Sequence, residues 1–158
     1  MYNRLSERKE ESSGNVLRLA AVVMNVLLAL LWHCGAVRAG AFGYSEVFAL
    51  KDMCEGVEFV PAVMAVLYCL SAVLLVLPVL RKGARPTKLA LPLTVSSMSA
   101  LFWVYIVYYM QTEMAGIGGV EYGYTVAFWL FGVVSVVLTA VGFILSRSAK
   151  RSRASQPA

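Results

Sequence analysis

Residues 59–88 read FVPAVMAVLYCLSAVLLVLPVLRKGARPTK: about 22 residues without a single charge, then a basic cluster of Arg81, Lys82, Arg85 and Lys88. At ~1.5 Å of helical rise per residue such a run crosses the ~30 Å hydrocarbon layer of a bilayer. The cluster marks the side on which it ends, because Lys and Arg accumulate in cytoplasmic links.

Three further runs of similar length lie on either side, giving expected helices over about 19–37, 59–80, 89–110 and 124–145, none carrying Asp, Glu, Lys or Arg. With 59% hydrophobic residues and a mean hydropathy of +0.71, the chain has the composition of an integral membrane protein rather than a soluble domain. Of the 14 basic residues, all but Arg38 and Lys51 fall in the N-terminal segment, the middle link or the tail. Both termini are therefore expected in the cytoplasm, with outer loops over about 38–58 and 111–123. Those loops hold Glu46, Asp52, Glu55, Glu58, Glu113 and Glu121, so the outer surface is acidic.

The expected class is all-α: one four-helix transmembrane bundle over 16–146, preceded by a mobile cytoplasmic segment, 1–15, and followed by a basic tail, 147–158. The tail suits anionic lipid head groups at the cytoplasmic face. Gly56-Val57-Glu58-Phe59 returns as Gly119-Val120-Glu121-Tyr122, each time before an apolar run. The likeness suggests two tandem hairpins related by a pseudo-twofold axis along the membrane normal. Glu58 and Glu121 would then sit at the N-termini of helices two and four, complementing their dipoles. As a pair they are also candidate ligand-binding residues at the outer mouth. Residues 46–54 suggest a short amphipathic surface helix with Phe48, Leu50 and Met53 on its apolar face.

Polar and small residues inside the runs indicate how the helices pack. Asn25 lies at a depth similar to that of Ser96, and a hydrogen bond from Asn25 to the Ser96, Ser97, Ser99 group would relieve an amide in lipid. Gly132, Ser135, Thr139 and Gly142, with Thr125 before them, form a small-residue stripe on helix four that favours close backbone approach. Ala62, Cys69 and Ala72 are the corresponding small positions on helix two. Cys34 and Cys54 both fall outside and are a candidate disulfide in an oxidising compartment.

Aromatic side chains gather in the outer half. One account is an interfacial belt plus bulky packing. The other is an aromatic-lined cavity open to the outer leaflet, for which Phe102, Tyr105 and Tyr109, on one face of helix three, are the candidate ligand-binding residues.

There is no C-x-x-C pair, no intramembrane carboxylate, no phosphate-binding Gly-rich loop and no His-Glu zinc motif. No catalytic residue, metal site or cofactor is expected, and nucleic acid is not an expected partner. The four-helix order and larger first outer loop are similar to those of claudin-type tetraspan proteins, whose Trp and paired-Cys signature in that loop is not matched here. That resemblance is one of topology. The residues point to a non-enzymatic accessory, scaffold or self-associating subunit of the plasma membrane, touching lipids, itself or another membrane protein. The alternative is a small transporter or a protein that binds lipid or another apolar ligand in the outer aromatic cavity.

Overall fold

The computed structural model describes residues 2–54, 57, 59–80, 89–114 and 116–154. Four helices, α1 (Tyr2–Leu31), α2 (Phe59–Leu80), α3 (Ala90–Tyr109) and α4 (Val126–Ala154), pack in a ring. In it α1 touches α2 and α4, and α3 touches α4 and, along the loosest seam, α2. Each helix contains a stretch long and apolar enough to cross a membrane: Ser13–Leu31, Phe59–Leu80, Ala90–Glu113 and Val126–Ser148. The protein is a multi-pass membrane protein whose outward faces carry exposed side chains such as Val23, Leu30, Val66 and Val133.

Each helix turns one narrow stripe inward. On α4 the buried residues Phe128, Phe131, Ser135, Leu138, Gly142 and Leu145 follow three- and four-residue steps, the spacing that keeps one seam in register with its neighbours. Gly132 admits the Trp103 ring, into which a Cβ at that position would intrude, and Gly142 sits where a Cβ would meet Leu93 Cδ1 at 3.2 Å. The stripe of α4 thus faces α3. Ser135 and Thr139 return their hydroxyls to the carbonyls of Phe131 and Ser135, which satisfies them without a partner helix. The inward stripe of α2 is Met64, Tyr68, Ser71 and Leu75. Ala62 and Cys69, expected to pack, are exposed instead.

The expected bond between Asn25 and the serine group is absent. Asn25 does face inward, at 1% exposure, but its Nδ2 donates to Ala21 O at 2.9 Å and its Oδ1 finds no partner. Ser96 and Ser97 donate to Leu93 O, and Ser99 is engaged by Tyr68 at 2.6 Å. A tyrosine from α2 reaches farther than an asparagine from α1, so it takes the acceptor.

The largest departure from the all-α expectation lies at the end of the bundle where α1 stops and α4 starts. Strands β1 (Gly35–Ala41), β2 (Tyr44–Ala49) and β3 (Val120–Tyr124) form an antiparallel sheet in the order β2-β1-β3. Residues 35–37 are therefore strand rather than the end of the first helix. Hydropathy cannot separate a buried strand from a helix end, and here Gly35 breaks the helix while Ala36 and Val37 are buried in the sheet. Residues 46–54 form β2 and a short 3-10 turn, Asp52–Cys54, rather than a surface helix. Asp52 accepts a hydrogen bond from the Ala49 amide at 2.9 Å, which closes that turn.

Beyond the sheet, α1 reaches back to Tyr2 and α4 onward to Ala154, through segments expected to be a mobile end and a tail. The two Gly-Val-Glu-aromatic copies do not occupy equivalent places. Phe59 opens α2, whereas Tyr122 lies within β3, and Gly56 and Glu58 fall outside the described residues. Glu121 is thus a strand residue opposite Gly40 and caps no helix. That role belongs to Thr125, whose Oγ1 accepts from Phe128 N at 3.4 Å and donates to Gly35 O at 2.7 Å, tying α4 to β1.

Candidate functional site

Successive side chains of a strand point to opposite faces, so the register fixes what each face of the sheet carries. Val37 and Ala39 of β1 share a face with their partners Phe48 and Glu46 of β2 and with Tyr122 and Tyr124 of β3. This face turns toward the helices. Arg38, Gly40, Ser45, Val47 and Glu121 lie on the other.

Between the inner face and α3 runs an open groove of about 420 Å³. Its floor is aliphatic and fully enclosed: Val37 from the sheet, Ile106 from α3, and Met110 from the π turn, Met110–Met114, that extends α3. Aromatic side chains form its walls. Phe48 stands on the sheet side, and Phe102, Tyr105 and Tyr109 stand on the helix side, at the three- and four-residue steps that place them on one face. The Tyr105 and Tyr109 rings stack with centroids 6.2 Å apart, and they remain 58% and 39% exposed. Among the described residues, Asp52 is the carboxylate that lines the groove, its position held by the Ala49 amide.

The two accounts of the aromatic side chains apply to different subsets. Trp32, Phe128 and Phe131 are buried, with Trp32 packed 5.1 Å from Phe102 and 5.8 Å from Phe131, and Tyr124 stacked on Phe128 at 4.5 Å. These rings fill the sheet end of the bundle. Phe102 is shared, with one side against Trp32 and the other on the groove.

The remaining candidates lie elsewhere. Glu121 lines a separate hollow of about 320 Å³ near the hairpin tip, with Arg38 and Ser45, on the sheet face turned away from the groove. Glu58 is outside the described residues. Cys34 and Cys54 are unbonded, their thiols directed at Leu30 O and Leu50 O at 3.5 and 3.9 Å, and burial pushes the Cys54 thiol up from its ordinary range. Burial, and secondarily the neighbouring Tyr122, likewise raises the Tyr124 hydroxyl. Among the described residues no three His, Cys, Asp or Glu side chains gather closely enough to hold a metal ion.

Sequence reasoning found the helix wall of the groove and missed its sheet wall. Phe48 and Met53 share the apolar face expected over residues 46–54, but no signal in residues 35–54 pairs that face with α3, some fifty residues later. What the described residues of the groove offer chemically is an apolar slot with aromatic sides and the negative charge of Asp52. No known protein-family model matches the chain, and the search of curated proteins finds no match.

Proposed function

We propose that this protein binds a lipid in the groove between the sheet and α3 and acts without catalysing a reaction. The observation that carries the proposal is the groove itself. Its aliphatic floor and half-exposed aromatic walls stand at the sheet end of a membrane-spanning bundle, where an acyl chain can enter sideways. Tyr and Trp at such a level match the headgroup boundary, where one end of a ring is apolar and the other wet.

The test is photocrosslinking of the full chain in bicelles by a lipid with a photoreactive acyl chain. Crosslinks concentrated at Phe48, Phe102, Tyr105 and Tyr109, and lost in an Ala39→Leu variant that fills the slot, support the proposal. Crosslinks spread evenly over outward residues such as Val66, Val73 and Val133 would sink it.

The orientation with both termini cytoplasmic, in the plasma membrane, is part of the same reading. It is supported by the charge asymmetry and by Arg147, whose guanidinium lies 4.4 Å over the Phe143 ring at the end opposite the sheet. That end would meet anionic head groups.

A second reading, contact with another copy or another membrane protein, is favoured by the β1–β2 hairpin tip. Phe42 is 91% exposed there, and one edge of β2 has no strand beside it among the described residues. A scaffold role predicts a particle of two or more copies, or a recovered partner, in mild detergent, and that association should weaken in Phe42→Asn. A monomer unaffected by that change removes this reading.

A further inference from the structure

The groove is asymmetric in charge, and the asymmetry selects a head group. Among the described residues, the charged side chain that lines it is Asp52. Glu46, opposite Ala39 in the sheet, adds a second carboxylate on the same face. Arg38 points to the other face, as its place between Val37 and Ala39 dictates. The walls that accompany these carboxylates are the π faces of Phe48, Tyr105 and Tyr109, the last two stacked and open.

Aromatic faces together with carboxylate charge form a receptor for an organic cation. The ring quadrupole attracts a quaternary ammonium group, which carries no N–H to satisfy, and the carboxylate supplies the counter-charge. An anionic head group would meet repulsion from Asp52 and Glu46 and gain nothing from the rings. A neutral sugar or glycerol head would leave the carboxylates without a partner of opposite sign.

Resting on the lipid-groove reading above, we infer that the occupant is a choline-type lipid. Its trimethylammonium head sits against Asp52, Tyr105 and Tyr109, and its chain lies along Ala39, Phe48 and Phe102, above the buried Val37, Ile106 and Met110. Asp52 suits this task because the Ala49 amide already fixes one of its oxygens, so that ordering the carboxylate costs little on binding. Lys51, its exposed neighbour in the chain, stands outside the groove lining, which carries no positive charge among the described residues.

The experiment uses the full chain in maltoside micelles and two lipids with identical brominated chains, one with a phosphocholine and one with a phosphoglycerol head. Bromine quenches the fluorescence of Trp32, which packs on the groove residue Phe102. Phosphocholine lipid is expected to half-saturate the quenching at about one tenth of the mole fraction that phosphoglycerol lipid needs, a difference on the scale of cation–π and screened ionic contacts. Asp52→Asn, which keeps the acceptor for Ala49, should bring the ratio below about twofold. The comparison of heads on the unaltered protein does not depend on how the variant folds.

Equal quenching by the two lipids, saturable and weakened by Ala39→Leu, overturns the choline assignment and leaves the groove reading standing. Quenching that is unsaturable, or indifferent to Ala39→Leu, overturns both. Displacement of the phosphocholine lipid by tetramethylammonium at equal concentration would replace the lipid with a small soluble cation and so overturn the assignment of a lipid.

Discussion

Tyr68 of α2 and Ser99 of α3 meet at 2.6 Å in the interior of the bundle, and both side chains are enclosed. Ser99 also donates its single hydroxyl proton to Val95 O at 2.8 Å, which leaves Tyr68 as the donor between them. The bond spans the loosest helix seam, where few packing contacts do the same work.

Tyr68→Phe should lower the stability of the detergent-solubilised protein by about 1 kcal/mol, and the coupling with Ser99→Ala should be about 0.6 kcal/mol. A double-mutant cycle of thermal or denaturant unfolding measures both. Coupling indistinguishable from zero would remove the bond from the account of the seam.

Trp103 lies directly against Gly132, so that any Cβ there collides with the indole and forces it to shift. Gly132→Ala is expected to cost about 1–3 kcal/mol, the range for overpacking a filled core. In a Trp103→Leu background the same change should cost far less. Thermal melts of the two single variants and the double variant decide it.

Phe42 and Gly43 form the two-residue hairpin turn with φ values of +53° and +87°, both in the left-handed region. Asn-Gly suits such a turn, and a bulky aromatic residue does not. Phe42→Asn should raise stability by about 1 kcal/mol, whereas Gly43→Ala should lower it. A gain in stability accompanied by loss of self-association would identify Phe42 as a contact residue.

Cysteine labelling tests the orientation. On intact cells a membrane-impermeant maleimide should label the exposed Cys34 readily, Cys54 slowly and Cys69, within the span of α2, not at all. Because burial raises the Cys54 thiol, its thiolate fraction is small at pH 8. Its rate should therefore keep climbing with pH after an ordinary thiol has levelled off. Labelling of Cys34 only after the membrane is opened would reverse the assigned topology.

The four spans were legible because a bilayer tolerates so few alternatives. A charge-free run of helical length bounded by Arg and Lys has essentially one reading. The helix wall of the groove was legible for a related reason, since Phe102, Tyr105 and Tyr109 recur at helical steps. The sheet was not. Gly35-Ala36-Val37 continues the apolar character of α1, and Val120-Glu121-Tyr122 resembles a helix start as much as a strand. Only pairing with β1, far away in the chain, decides for strand. Depth counting placed Asn25 correctly inside the bundle but could not foresee that Tyr68 would occupy Ser99.

Strand β1 is the middle of the sheet, yet one of its neighbours arrives last. Thr125 and Ala36, 89 positions apart, join the final helix to the first strand. During synthesis α1, β1, β2 and α2 emerge while β1 still lacks β3, so a row of its backbone amides and carbonyls waits in water for the second half of the chain. The groove's helix wall, α3, emerges after α2 and before β3 closes the sheet. Truncation before residue 120 would therefore leave an insertion intermediate with an open strand edge, and a quality-control factor that recognises unpaired strands could tell it from the finished protein.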